Sequence, residues 1–241
     1  MNAVLLENIN KRFLKTQAAP TLKQLLLSFR KYKKEYMWGL RDINLSIEKG
    51  ETVSIVGTNG SGKSTLLRII CGVYVPTEGK VSVNGRMSTM LELGSGFHPD
   101  LTGVENIYFN GAVLGYSSSE IRSKADSIIE FAELGDFINE PIRTYSAGML
   151  MRLGFSIATE TEPDILLIDE VLAVGDNAYQ EKCYKRINDI KKQGKTVIFV
   201  THDMKAAAEF AQRCIWIKKG SVYMDGKSGE IVENYIRETS K

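Results

Sequence analysis

Residues 57–65 limit the possible folds more than any other part of the chain. Their sequence, GTNGSGKST, follows a short apolar run at residues 51–56 and opens a helical pattern at residues 63–71. Glycines let the backbone curl so that successive amides point inward, and a helix start adds partial positive charge. A lysine followed by a hydroxyl at this point suits phosphate oxygens and Mg²⁺. The segment therefore predicts a phosphate-binding loop between a buried strand and a helix.

Two further apolar, β-branched runs resemble the strand before this loop. They lie at residues 165–169 and 196–201, and helical patterns follow them at about 178–192 and 204–212. Nearly uninterrupted apolar strands that alternate with helices are typical of a parallel sheet covered on both faces. We therefore predict an α/β fold of the P-loop NTPase class with a mainly parallel core sheet.

A long helical stretch separates the first two of these strands. Helical patterns at residues 101–114, 119–134 and 146–161 predict a helical subdomain inserted over about residues 95–161. After the last core strand, a hairpin at residues 214–225 and a short helix complete the sequence. We therefore predict a single domain over residues 1–241, without a second, C-terminal domain.

The N-terminal region is predicted to hold an antiparallel β part and a second insertion. Residues 2–8 read as a strand. Residues 20–34 place leucines on one helical face and lysines on the other, with Thr21 and Gln24 in capping-box positions. This pattern predicts a short basic amphipathic helix. Two interpretations stay open: the leucines pack on the domain itself, or the helix lies at a membrane surface beside a partner protein.

Length, charge and cysteine spacing exclude several classes of protein. The chain has 241 residues and a net charge of +2, which gives no indication of nucleic-acid binding. No apolar run reaches the ~20 residues that a membrane helix needs, and the N-terminus lacks a secretory signal. The three cysteines do not have the spacing of a zinc site. We expect a cytosolic chain.

Polar residues follow the other two core strands at positions suited to nucleotide hydrolysis. DILLIDE ends in Asp169 and Glu170, and FVTHD contains His202. One carboxylate can hold Mg²⁺ and the next can orient the attacking water. His202 is predicted to contact the γ-phosphate, and a purely structural role is its alternative. The predicted catalytic residues are Lys63, Glu170 and His202.

YSAGM, which contains Ser146 and Gly148, opens a predicted helix shortly before Asp169. The order of phosphate loop, Ser-Gly signature, Asp-Glu strand and histidine resembles the ATP-binding-cassette (ABC) ATPases over essentially the whole chain. The usual family signature is Leu-Ser-Gly-Gly-Gln, and this chain departs from it at three positions. The resemblance implies a homodimer in which the signature of one copy completes the ATP site of the other.

The resemblance also implies ATP and Mg²⁺ as cofactors and extends the set of site residues. Asp176 resembles the residue that communicates between the two sites. Phe13 resembles the aromatic that stacks on adenine, although Tyr36 or Trp38 could substitute, because stacking needs only a flat ring. The predicted nucleotide-binding residues are Phe13, Gly57, Thr58, Asn59, Gly60, Ser61, Gly62, Lys63, Ser64, Thr65, Ser146, Ala147, Gly148 and Asp176. The predicted metal-binding residues are Ser64, Asp169 and Glu92.

Residues 90–103, MLELGSGFHPDLTG, point to a subgroup of this family. A loop after the phosphate site usually carries a glutamine in ABC ATPases, whereas here Glu92 occupies a plausible equivalent place. The carboxylates of this loop would repel phosphate, so the loop is not expected to form a second phosphate-binding site. With YSAGM and the basic helix, this loop resembles the ATP-binding subunits of bacterial polysaccharide exporters. The resemblance implies a coupling loop against a membrane permease, and an ordinary turn is the alternative.

This subgroup resemblance implies a motor that hydrolyses ATP at the cytoplasmic face of the bacterial inner membrane. Its expected partners are two copies of an integral permease and, through them, a lipid-linked polysaccharide: O antigen first, then teichoic acid or capsule. The extra C-terminal carbohydrate-binding domain of some members is not expected here. The alternatives are an ABC ATPase of another transporter, a soluble ABC ATPase and a non-catalytic regulator, against which the intact catalytic residues argue.

Overall fold

The structure is a computed structural model that describes residues 1–15, 35–90, 96–169 and 176–239. The predicted helix at residues 20–34 lies outside the described residues, as do Glu92 and Glu170. Within the described ranges, no helix is long and apolar enough to cross a bilayer.

A six-stranded sheet forms the centre of the molecule. Its strands are β3 (Thr52–Val56), β5 (Met87–Thr89), β6 (Ile165–Ile168), β7 (Thr196–Val200), β8 (Arg213–Lys218) and β9 (Ser221–Lys227). They lie in the order β5-β6-β7-β3-β8-β9, and only the β8–β9 pairing is antiparallel. Strands β6, β7 and most of β3 are fully buried, as their apolar runs predicted. This topology confirms the predicted α/β fold with a mainly parallel sheet.

A second, antiparallel sheet contains the N-terminal strands. It comprises β1 (Asn2–Leu14), β2 (Tyr36–Glu48) and β4 (Glu78–Val83) in the order β2-β1-β4. The antiparallel β part was predicted, but β1 extends well beyond residue 8 because its second half pairs with β2. Asn8 and Asp42 have positive φ angles and lie at or beside shifts in register. These irregularities interrupt the alternating pattern, so residues 9–14 did not read as a strand.

Seven α-helices complete the described part of the chain. They are α1 (Lys63–Ile70), α2 (Gly103–Val113), α3 (Ser118–Ala132), α4 (Ala147–Glu160), α5 (Asn177–Lys192), α6 (Met204–Phe210) and α7 (Ser228–Thr239). Helices α2 to α4 share an apolar cluster of their own, which includes Ile107, Ile121 and Leu153. Side chains cap the start of α2 to α6, whereas α1 starts at a glycine without a side-chain cap.

The sheet order sets the position of the candidate site. Strand β7 lies between β6 and β3, so the loops that leave the carboxyl ends of these three strands are neighbours. Neighbouring strands lie about 4.8 Å apart, and ligands bind at this edge of α/β sheets. The phosphate loop after β3, Asp169 after β6 and His202 after β7 therefore share one edge of the core.

Candidate nucleotide site

The phosphate loop runs from Gly57 to Gly62 between β3 and α1. Lys63 folds back over it, and its Nζ donates to the carbonyl oxygens of Gly57 at 2.6 Å and Thr58 at 3.2 Å. Gly62 has a φ of 112°, and a Cβ atom there would lie 2.9 Å from the Gly39 carbonyl oxygen. Only glycine fits this conformation and this space. The loop therefore lies close to β2. The Lys63 side chain lies against the loop backbone.

The N-terminus of α1 is chemically open to an anion. Gly62 gives no side-chain cap, and the first turn contains no acidic residue. The first amides of a helix lack carbonyl partners within the helix and carry partial positive charge. Within the described ranges, neither a capping side chain nor an acid of the first turn neutralises that charge. The arrangement fits the phosphate groups of a nucleotide.

A cavity of about 300 Å³ joins this loop to aromatic side chains of the antiparallel sheet. Its lining includes Phe13 and Trp38 as well as residues 59–65, but not Tyr36. A Cβ atom on Gly39 would lie 2.7 Å from the Phe13 ring, so that glycine leaves room for the ring. Flat aromatic surface at one end and helix amides at the other suit the base and phosphates of a nucleotide.

Asp169 and His202 lie where the sequence predicted, at the ends of β6 and β7. Asp169 is half-buried and His202 is exposed. Ser64 lies in the first turn of α1, which follows β3 through the phosphate loop. Among the described residues, no three His, Cys, Asp or Glu side chains cluster as a metal site. Mg²⁺ at phosphates commonly uses one or two carboxylates together with phosphate oxygens and water, so Ser64 and Asp169 fit it.

The signature residues lie apart from the phosphate loop of the same chain. Ser146 caps α4, and its Oγ accepts a bond from the Met149 amide at 3.2 Å. Ser146 and Gly148 line a second cavity of about 400 Å³, whose lining contains no residue of the phosphate loop. Among the described residues, the cavity at the phosphate loop and the cavity at the signature share no lining residue.

Asp176 caps α5 and contacts the signature helix. Its Oδ1 accepts from the Tyr179 amide at 2.9 Å, and its Oδ2 lies 3.4 Å from a guanidinium nitrogen of Arg152. The Arg152 guanidinium also stacks 4.3 Å from the centre of the Tyr179 ring and pairs with Glu133 at 3.6 Å. Sequence reasoning missed Arg152. Its only signal was a cation in a largely apolar helical pattern.

Comparisons with known proteins give the chain a family. Residues 40–173 match the family described as ABC transporter. The O-antigen export system ATP-binding protein RfbB of Myxococcus xanthus is 46% identical over 98% of this chain, which spans 56% of that relative's length. The protein of the same name from Klebsiella pneumoniae is 50% identical, covering 87% of this chain and 83% of the relative.

A solved structure supports the same assignment. The dimeric, post-hydrolysis ATP-binding cassette MJ0796, bound to ADP and Pi, has a TM-score of 0.73 and 29% identity, covering 93% of this chain and 98% of that one. Together with the family match, it confirms the predicted ABC-type ATPase class. The names of the two relatives confirm the resemblance to the polysaccharide-exporter subgroup. This chain belongs to the ABC transporter family.

Proposed function

We propose that this chain is the ATP-hydrolysing motor subunit of an ABC exporter that moves lipid-linked polysaccharide across the cytoplasmic membrane. The observation that carries the ATPase part is the uncapped helix α1 behind a phosphate loop, joined by one cavity to aromatic side chains. The polysaccharide part is supported by the names of the relatives. O antigen is the favoured cargo, followed by teichoic acid or capsule.

Each site residue has a proposed role in hydrolysis. Lys63 and the loop amides bind the β- and γ-phosphates, and His202 contacts the γ-phosphate. Glu170 orients and polarises the attacking water. Ser64, Asp169 and Glu92 would hold Mg²⁺, which would supply positive charge to the phosphates. Phe13 or Trp38 stacks on adenine.

The separation of signature and phosphate loop within one chain supports a homodimer. In it, Ser146, Ala147 and Gly148 of one copy bind the ATP held by the other copy, and Asp176 communicates between the two sites. The dimer acts with two copies of a membrane permease at the cytoplasmic face of the inner membrane, without nucleic acid. Residues 1–241 act as one ABC domain, in which residues 95–161 form the helical subdomain and residues 90–103 the coupling loop.

The test replaces the native residue by Glu170→Gln in the bacterium that makes this chain. We expect loss of polysaccharide at the cell surface and accumulation of lipid-linked polysaccharide in the cytoplasmic membrane, because ATP is bound but not turned over. Glu181→Gln, an exposed glutamate of α5, is the matched control and should leave both pools unchanged. A normal surface coat in the Glu170→Gln strain would contradict polysaccharide export and leave an ABC ATPase with another cargo.

A further inference from the structure

Residues 98–103, here named the loop segment, form one hydrogen-bonded unit with residues 141–145, the pre-signature segment. The Ile142 amide donates to the Leu101 carbonyl oxygen at 3.0 Å, and the next amide along the chain donates to the loop segment at 3.1 Å. An isolated β-bridge joins the same two stretches. Two segments some forty residues apart in sequence therefore move together unless these backbone bonds break.

Asn106 holds the loop segment onto the start of α2. This side chain is fully buried, and its Nδ2 donates to the carbonyl oxygens of His98, Leu101 and Thr102 at 2.9–3.1 Å. Its Oδ1 accepts from the His98 amide at 2.8 Å. A buried amide with all its partners satisfied fixes the backbone around it. The loop segment is consequently a rigid part of the helical subdomain.

Tyr145 connects this unit to the signature. Its side chain is only 8% exposed, and its hydroxyl donates to the Phe137 carbonyl oxygen at 2.5 Å. The same hydroxyl lies against the backbone of Gly103, where a Cβ atom would clash with it and approach the Ile138 carbonyl oxygen to 2.9 Å. Burial raises the pKa of the Tyr145 hydroxyl further above neutral pH, and the protonated hydroxyl is the form that donates.

Because Tyr145 is adjacent to the signature in sequence, a shift of its side chain would also shift the signature. Tyr145 directly precedes Ser146, whose hydroxyl caps α4 and which we assign to the partner's ATP. The usual family signature has leucine at this position, and leucine has no group that could donate to Phe137. Because the hydroxyl also lies against Gly103, the last residue of the loop segment, it is a specific link from that segment to the signature.

We propose that Tyr145 is a positioning residue, whose hydroxyl fixes the signature Ser146 relative to the loop segment so that displacement of one displaces the other. This proposal rests on the proposed function, since it presumes that Ser146 meets ATP across a dimer. It adds that one buried side chain, besides the backbone bonds of Ile142 and Arg143, joins the loop segment to the signature. Loss of the hydroxyl should weaken dimer closure and leave the phosphate loop unaffected.

The test compares Glu170→Gln with Glu170→Gln/Tyr145→Phe in the full chain. ATP-dependent dimer formation is measured by size exclusion with light scattering, and nucleotide binding to the single chain by fluorescence of trinitrophenyl-ATP. We expect Tyr145→Phe to need about tenfold more ATP to form the dimer, the scale of an orphaned buried hydrogen-bond partner. Its affinity for trinitrophenyl-ATP should be unchanged, a split that a merely structural loss would not give.

Tyr116→Phe is the matched control, since Tyr116 is a second buried tyrosine in the same apolar cluster. It should change neither measurement. Equal ATP dependence for Tyr145→Phe and the parent would overturn the proposal for Tyr145. A parent that stays monomeric at saturating ATP would instead overturn the proposed dimer, and the positioning role with it.

Gly103→Ala gives a second, independent measurement. The added methyl group would push against the Tyr145 hydroxyl and so displace the signature. Removing that hydroxyl in the double variant Gly103→Ala/Tyr145→Phe should restore part of the dimer formation that Gly103→Ala loses. Strictly additive losses would mean that the two residues act separately, contrary to the proposal.

Discussion

The N-termini of α1 and α4 are both assigned to phosphate, yet they are built differently. Helix α1 follows Gly62, which gives no side-chain cap, and its first residues line a cavity of the same chain. Helix α4 is capped by Ser146, whose Oγ already accepts a main-chain bond. In the first, the proposed phosphate position is lined by residues of one chain. The second has one amide satisfied by its own side chain, and we propose that it binds the phosphate of an ATP held by another copy.

The largest expected effect is at the first site. Lys63→Ala removes the cation that lies over the loop, and we expect ATP affinity to fall on the order of a hundredfold or more, since charged hydrogen bonds to phosphate are lost. Equilibrium dialysis with ATP measures this. Lys205→Ala, which changes an exposed lysine of α6, is the control, and a normal affinity in Lys63→Ala would refute the phosphate-loop assignment.

A substitution at Ser146 can separate its capping role from its proposed role in phosphate binding. Ser146→Asp keeps a good cap but places a negative charge where the partner's γ-phosphate is proposed to bind. We expect an unfolding temperature close to that of the unchanged chain and an ATPase rate reduced at least about tenfold. If hydrolysis persists at the normal rate, Ser146 does not meet phosphate.

Two alanine substitutions sharpen the same contrast. Ser146→Ala and Ser117→Ala each remove a helix cap, at α4 and α3, and each should cost about 1 kcal/mol of stability. Only Ser146→Ala should also lower the ATPase rate. Thermal unfolding and steady-state hydrolysis are measured on both proteins, and a parallel loss of activity would show that capping alone explains the effect.

A smaller effect is expected at the aromatic end of the α1 cavity. Phe13→Ala or Trp38→Ala should weaken ATP binding roughly three- to tenfold, whichever ring stacks on adenine. Tyr36→Ala is the control, because Tyr36 is not part of the lining. Titration of all three variants with ATP decides between the rings. A loss confined to Tyr36→Ala would contradict the cavity assignment.

The smallest expected effect is on stability at low pH. It concerns the start of α3, where Ser117 caps the helix and Glu120 supplies a carboxylate. The pKa of Glu120 is lowered from its usual 4.5 to about 2. A hydrogen bond from Arg86 contributes most to this shift, and bonds from Ser117 contribute next. A depressed folded-state pKa adds stability above pH 4.5 that is lost as the pH falls towards 2. Urea unfolding at pH 5.5 and pH 3 should show a slightly larger acid loss in the unchanged chain than in Glu120→Gln. Identical losses would contradict this linkage.

The same two helix starts show what the sequence could predict. The α1 site was predictable because its glycines, lysine and hydroxyl form one continuous motif after an apolar strand. The signature could be recognised only by resemblance, since Ser146 and Gly148 alone are a weak pattern. The contact of Arg152 with Asp176 depends on how α4 packs against α5, which no local pattern encodes. Strands β2 and β4 were missed for a related reason: their partner in β1 is distant in sequence.

The central claim is that the α1 site of one copy and the α4 site of another form one ATPase site. Mixing inactive Lys63→Ala chains with inactive Ser146→Asp chains tests it directly. In a mixed dimer, the intact phosphate loop of one chain meets the intact signature of the other. A mixture in which half of the dimers are mixed should then restore roughly a quarter of the normal rate, since each mixed dimer has one good site of two. No recovery, in mixtures proven to contain mixed dimers, would contradict the shared site.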